Sequence, residues 1–312
     1  MNEIRKNAHS YTPSPYVKML MDEIRRRHGS GVRAIIYYGS CLQSGREFDS
    51  LLDLYVLVDD YLCVYKNLLL SLVNWLLPPN VFYLELPTDS GLTIRAKYAV
   101  VSTWDFRTRT SNRAFHSYFW ARFCQPVAII FYSDNRIKKA VEEALACAVM
   151  TFHKQVIPCI PSSFTARQLW LSGLSLSYRA ELRPERTDRL IRLWKSQGPV
   201  LEKFTMGATP HLPFHIDARK EGSVIEYVAH VSRKEQRRCR LSWKARSLQG
   251  KILSVLRLLK AALTFKGGVD YALWKIKRHT GIEMEVSPFL RRHPVLAMFV
   301  LSYTLLKKGI IK

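Results

Sequence analysis

The chain has 312 residues, 48% of them apolar and 23% charged, a globular composition that excludes disordered, collagen-like and multi-spanning membrane classes. Lysine and arginine number 48 against 25 acids, a net charge of +23. Residues 1–150 hold 18 bases and 14 acids while residues 151–312 hold 30 and 11, a difference of +19, so a near-neutral half adjoins one suited to a polyanion such as nucleic acid or an anionic lipid surface.

In chain order, residues 16–27 read as an amphipathic helix ended by Gly29 and Gly31. A strand over 34–38 follows, then Gly39-Ser40, a polar stretch, and a second strand over 52–58 closed by Asp59-Asp60. Residues 66–77 read as a helix stopped by Pro78-Pro79, and 81–86 and 93–101 as two further strands. This pattern is a small mixed α/β sheet. From Asn135 the period turns helical, predicting helices over 137–149, 165–176 and 186–195, with Gly198-Pro199 as the stop. Residues 204–221 read as a linker or loop. Residues 233–280 carry 14 bases and two acids, and Ile252, Val255, Leu256, Leu259 and Leu263 share one helical face there. That face, with the apolar tail 295–306 flanked by Arg291, Arg292, Lys307 and Lys308, suits either a lipid surface or a helical core.

The six cysteines form no C-x-x-C pair, and the N-terminal segment lacks a hydrophobic signal core, so reduced thiols in a cytoplasm-like compartment are expected. The longest apolar runs, 68–77 and 295–306, are shorter than the roughly 20 residues a bilayer span needs. His211 and His215 have H-x-x-x-H spacing, but Pro213 between them argues against a zinc site.

Chemistry concentrates at Tyr37-Tyr38-Gly39-Ser40 and Leu52-Asp53-Leu54-Tyr55-Val56. A glycine at a strand end lets backbone N–H groups approach a phosphate, and Ser40 adds a hydroxyl. Asp53 supplies a hard oxygen ligand to Mg²⁺. The bland reading is an ordinary turn and a structural aspartate. Strand parity places a second acid at 51 or 55, where Leu51 and Tyr55 stand. Asp59 shares the face of Asp53 by parity and is a candidate metal ligand. Glu85, a mid-strand carboxylate that burial would penalise, is the better candidate for second ligand and catalytic partner. Lys97 offers a point charge for a triphosphate. Arg122, among Phe119, Trp120 and Phe123, suits phosphate binding or a structural ion pair. Tyr178, Glu181 and Arg183 either shape a nucleotide or lipid pocket or pair locally.

The glycine-serine pair and the single acid resemble the nucleotidyltransferase superfamily signature, with one of its two paired acids missing. A narrower resemblance is to the mitochondrial-type phosphatidate cytidylyltransferases, the translocator assembly and maintenance family. Leu52-Asp53-Leu54-Tyr55-Val56-Leu57-Val58-Asp59-Asp60 is similar to that family's L-D-F-x-F-x-V-D-D, and Lys97-Tyr98-Ala99-Val100-Val101-Ser102 to its K-Y-G-V-[IV]-S. Arg122 with Gln125-Pro126-Val127 is similar to G-R-L-Q-K-P-V, one residue out of step at the glutamine. Gly173-Leu174-Ser175-Leu176-Ser177-Tyr178 and Glu181-Leu182-Arg183 resemble G-L-S-Y and D-F-R. These blocks span about residues 33–195, and the last third has no counterpart.

The resemblance implies an α/β fold: a nucleotidyltransferase-like mixed-sheet catalytic domain over 1–134, a helical domain over 135–203 closing the nucleotide site, and a basic, mainly helical region over 204–312. It implies an enzyme joining CTP to phosphatidic acid with Mg²⁺ to give CDP-diacylglycerol and pyrophosphate, for phospholipid biosynthesis. Asp53, Glu85 and Lys97 would then be catalytic, Asp53, Asp59 and Glu85 metal ligands, and Gly39, Ser40, Lys97, Arg122, Tyr178 and Arg183 nucleotide contacts. The acceptor is a phosphate monoester with a second pKa near about 6, largely ionised at neutral pH, so a site with few carboxylates suffices. The expected partner surface is anionic membrane, approached peripherally from the cytoplasmic face of a bacterial inner membrane or the matrix side of a mitochondrial one. Nucleic acid is the less favoured partner. Two competing functions are an RNA-directed nucleotidyltransferase and a non-catalytic nucleotide-binding protein.

Overall fold

A computed structural model describes residues 11–48, 51–65, 67–181, 187–222 and 224–264, and beyond these 269–270, 273, 276–277, 283–293, 296–297 and 300. Arg183, Lys66, the greater part of the 295–306 tail with Lys307 and Lys308, and the side chains of Leu259 and Leu263 lie outside the described residues.

Ser14 starts the first helix, its Oγ accepting from the Val17 N–H. The elements then run α1 (Pro15–His28), β1 (Val32–Tyr38), α2 (Ser40–Ser44), β2 (Leu52–Val58), α3 (Tyr61–Tyr65) and α4 (Leu68–Leu76). Next come β3 (Asn80–Pro87), β4 (Thr93–Ser102), α5 (Thr103–Thr110), α6 (Trp120–Phe123), β5 (Ala128–Tyr132) and α7 (Asn135–Val156). The rest are β6 (Ser163–Thr165), α8 (Ala166–Arg179), α9 (Thr187–Ala208), β7 (His215–Glu221), β8 (Val224–His230), α10 (Arg233–Thr264) and α11 (Pro288–Arg292). The architecture is mixed α/β, a sheet followed by helices.

Five strands form one sheet in the order β3-β4-β2-β1-β5. β2 and β4 are parallel and every other pair is antiparallel. Alternating side chains separate two cores. On one face Ile35, Tyr37, Leu54, Val56 and Val100 meet Val17, Leu20 and Ile24 of α1. On the other, Ile36, Tyr55, Leu57, Ala99 and Val101 join the cluster containing Phe106, Trp120 and Phe152 from the helices. With both faces covered, β2 reads as an apolar run broken only at its second residue, Asp53.

The helical part departs from the expected punctuation. α9 continues through Gly198-Pro199 to Ala208, because Leu201, Phe204 and Ala208 are buried and Trp170 Nε1 donates to Leu201 O at 3.1 Å and Thr205 Oγ1 at 3.0 Å. Packing there outweighs the roughly 3 kcal/mol that an interior proline costs. The helix therefore crosses residue 203, where a boundary was expected, and the expected loop 204–221 instead holds its last turn and β7. β7 pairs with β8, and β8 with β6, in a second sheet of order β6-β8-β7.

α10 crosses back over both parts. Trp243 Nε1 donates to Gln155 O at 2.8 Å, and Arg246 Nε to Phe115 O at 2.5 Å. Further along, Arg257 Nε donates to Pro78 O at 3.2 Å and Lys260 Nζ to Pro79 O at 2.7 Å. Its inward face thus carries Cys239, Trp243, Arg246 and Lys260, while Ile252, Val255 and Leu256 are about half exposed, at 53%, 47% and 45%. Among the described residues no helix is long and apolar enough to cross a membrane.

Burial holds His28 and His153 down to about 4. Both are neutral when folded, whereas the unfolded chain protonates them below about pH 6.5. Their stabilisation is therefore complete above about 6.5 and is lost as pH falls toward 4. Denaturant midpoints measured from pH 7 to 4.5 are expected to fall steadily, and His153→Gln to flatten that slope. A slope unchanged in the variant would contradict this assignment.

Candidate functional site

Gly39 turns the chain from β1 into α2 with φ +90°, and a Cβ there would lie 2.9 Å from Asp53 Oδ2. Only glycine lets this backbone sit against the carboxylate, which ties the glycine and the acid into one structural unit. Ser40 follows, exposed, as the first residue of α2. Register aligns Tyr38, Asp53, Lys97 and Tyr83 in one row across four strands. Lys97 Nζ stands 3.5 Å from Asp53 Oδ1, with the two side chains 23% and 26% exposed. Gly39, Ser40, Asp53 and Lys97 therefore come together as expected, open to a ligand.

Arg122 joins the same sheet face one pleat further along. Its Nη1 donates to Tyr55 Oη at 2.9 Å and its Nη2 lies 3.7 Å from Glu181 Oε2. The second-acid position is thus a buried tyrosine whose phenol burial raises well above its usual pKa and which accepts a hydrogen bond from Arg122. Glu181 arrives from the end of α8, and Tyr178 packs half-buried against the core between helices and sheet. Tyr118 lies under both Arg122, 4.2 Å from its ring centre, and Arg257, at 4.0 Å. Burial alone would raise the Tyr118 phenol; the two guanidinia outweigh it and hold the pKa below the usual value.

Two expected metal ligands are corrected. Asp59 lies just past the end of β2, six residues and about 20 Å at strand rise from Asp53, and accepts from Arg33 Nε at 2.6 Å. Parity put it on the right face but at the wrong end. Glu85 shares the face, yet it pairs in register with Arg95, two residues beyond Lys97. Its carboxylate lies 3.4 Å from Arg95 Nε and accepts from Tyr83 Oη at 2.9 Å, 48% exposed. That ion pair and hydrogen bond give the acid on this strand its partners, two residues away from the Asp53–Lys97 row.

Among the described residues no group of three or more His, Cys, Asp or Glu gathers to hold a metal. Mg²⁺ is commonly held by one or two carboxylates together with substrate phosphates. Asp53, a quarter exposed beside the Gly39 backbone, fits an ion that comes with a nucleotide rather than one caged by protein. Three neighbours escaped the sequence reading: Tyr38, Tyr118 and Arg257. Tyr38 and Tyr118 adjoin recognised residues in aromatic runs, whereas nothing local marks Arg257.

The chain matches no protein-family model and no curated protein. Among solved structures it is similar to a nucleotidyltransferase-like protein from Exiguobacterium sibiricum 255-15, at 10% identity over 68% of this chain and 100% of that one, with a TM-score of 0.23. At that identity and score the likeness assigns no role to any residue.

Proposed function

We propose that the protein is a nucleotidyltransferase, specifically a phosphatidate cytidylyltransferase working at a membrane surface. The observation that carries this is the grouping of Gly39, Asp53 and Lys97: a glycine whose Cβ would collide with the one carboxylate, and a lysine 3.5 Å from that carboxylate. The ordered blocks that resemble those of the phosphatidate cytidylyltransferases support CTP and phosphatidic acid as the substrates.

The site residues act by positioning and charge. Gly39 and Ser40 present backbone N–H and hydroxyl donors to the triphosphate, and Lys97 offsets its charge. Asp53 would hold Mg²⁺, which when bound neutralises phosphate charge at the reacting centre. Arg122, fixed by Tyr55 and Glu181, orients an anionic group. An oxygen of the acceptor phosphate attacks the α-phosphorus of CTP, the bond from that phosphorus to the bridging oxygen of the β-phosphate breaks, and pyrophosphate leaves. The acceptor oxygen is already ionised, so no carboxylate is needed to deprotonate it.

Peripheral docking on anionic lipid is supported by the outward face of α10. There Leu241, Leu248, Ile252 and Val255 are exposed among Arg237, Lys244 and Lys251. α4 adds exposed Leu68, Leu69, Leu72 and Trp75, and α10 bonds to the carbonyls immediately after it. The cytoplasmic face of a bacterial inner membrane is the proposed location, with the matrix side of a mitochondrial membrane as the alternative.

The test is to incubate the protein with labelled CTP, Mg²⁺ and phosphatidic acid in mixed micelles, beside Asp53→Ala. Label in the organic phase, absent in the variant, is expected. Folded, CTP-binding protein that labels no lipid would reject the proposal, and label in an RNA acceptor would redirect it to polynucleotides.

A further inference from the structure

The strip of residues that begins at Asp53 ends in a surplus of buried positive charge. Exposure falls along it, from 26% at Asp53 to 13% at Arg122, and beyond Arg122 stands Arg257 of α10. Of the cations nearby, Arg109 lies 2.7 Å from Asp105 and Arg122 3.7 Å from Glu181, while Arg246 bonds to Phe115 O and Gln155 Oε1. Among the described residues Arg257 has no carboxylate within ion-pair distance, and Glu181 acts on it only from further off. Its Nε donates to Pro78 O, but its Nη1 is buried without a partner, as is Nε2 of the adjoining His116. Burial, with Arg257 first among the surrounding cations, pulls His116 down to about 3, so the imidazole is neutral at physiological pH and can share in an anion site as a donor only through a ring N–H.

A buried guanidinium N–H without an acceptor is costly, and an anion that supplies the acceptor removes the cost. Phosphate suits it, since its oxygens accept several guanidinium N–H groups at once. We propose that Arg257 and Arg122, bracketing Tyr118, seat the phosphate monoester of the acceptor beside the nucleotide held at Asp53. α10 thereby becomes part of the substrate site as well as the membrane face. The identity of the acceptor rests on the function proposed above; the existence of a phosphate seat at Arg257 does not.

Calorimetry on the full chain at fixed ionic strength separates the sources, using water-soluble dihexanoyl phosphatidate, dihexanoylglycerol and CTP as titrants. Phosphatidate is expected to bind and the glycerol not to. Arg257→Gln is expected to weaken phosphatidate about tenfold, with CTP affinity kept within about twofold. Arg257→Lys, which keeps the charge and stem but loses the fork, guards against misfolding of the first variant and is expected to fall between it and the wild type, with circular dichroism checking both. Equal loss for CTP alone would overturn the assignment in favour of the nucleotide's own phosphates. No change for either ligand, or no phosphatidate binding by the wild type, would show Arg257 to be a packing residue. Because binding is read directly, failure of lipid transfer leaves this result standing.

Discussion

On the proposed function, replacing Asp53 with asparagine is expected to lower turnover by about three orders of magnitude, roughly 4 kcal/mol of transition-state stabilisation, and to leave the fold intact. The amide keeps the size of the carboxylate against Gly39 but loses the charge proposed to hold an ion. The stability cost is small because the Lys97 pair is a quarter exposed, and such pairs contribute about 0–1 kcal/mol. Asp59→Asn and Glu85→Gln supply the contrast. Their carboxylates pair with Arg33 and Arg95, so both variants are expected to keep turnover within about threefold. Initial rates with CTP and phosphatidate, beside thermal melts, check all three. Equal losses in Asp53 and Glu85 variants would restore Glu85 as a site residue.

Gly250→Ala carries the largest expected structural effect. A Cβ at Gly250 would stand 2.0 Å from the carbonyl oxygen of Ala180 and 3.1 Å from His116 Nε2. Backbone cannot yield there as a side chain would, so α10 must move away from the end of α8. The cost is about 3 kcal/mol or more, a Tm fall of about 5 °C. Turnover falls with it, since Arg257 and Lys260 on the same helix lose their carbonyl partners at Pro78 and Pro79. Gly173→Ala is the comparison. Its Cβ would meet side chains rather than backbone, Phe152 Cζ at 2.5 Å and Val156 Cγ2 at 2.7 Å in the buried core, so a Tm fall smaller than that of Gly250→Ala, with near-normal turnover, is expected. A melt showing Gly250→Ala as stable as wild type would contradict the docking of α10.

The contrast between these sites shows which physical signals are local. β2 over Leu52–Val58 and the Gly39–Asp53 unit were legible because strand runs and turn glycines act within a few residues. Asp59 and Glu85 were misplaced because parity reports the face of a strand, whereas Arg33 and Arg95 reach them through pairing that only the assembled sheet supplies. α9 passed its local breakers because buried Leu201 and Phe204 lie beyond them. α10 was the least legible. Ile252, Val255 and Leu256 have the spacing of a core stripe, yet the inward positions go to Arg246 and Lys260, which bond to backbone carbonyls of Phe115, Leu77 and Pro79. Such carbonyls leave no trace in side-chain periodicity.

The central claim is that the Asp53 site moves a cytidylyl group onto a lipid phosphate. CTP labelled at the α-phosphorus or at the γ-phosphorus, supplied in parallel with phosphatidic acid, tests it most directly. The account predicts α-label in the organic phase and γ-label in pyrophosphate, in equal amounts. γ-Label in the lipid would mean phosphoryl rather than nucleotidyl transfer, and lipid free of both labels would mean that Asp53 serves another acceptor; either result contradicts the claim.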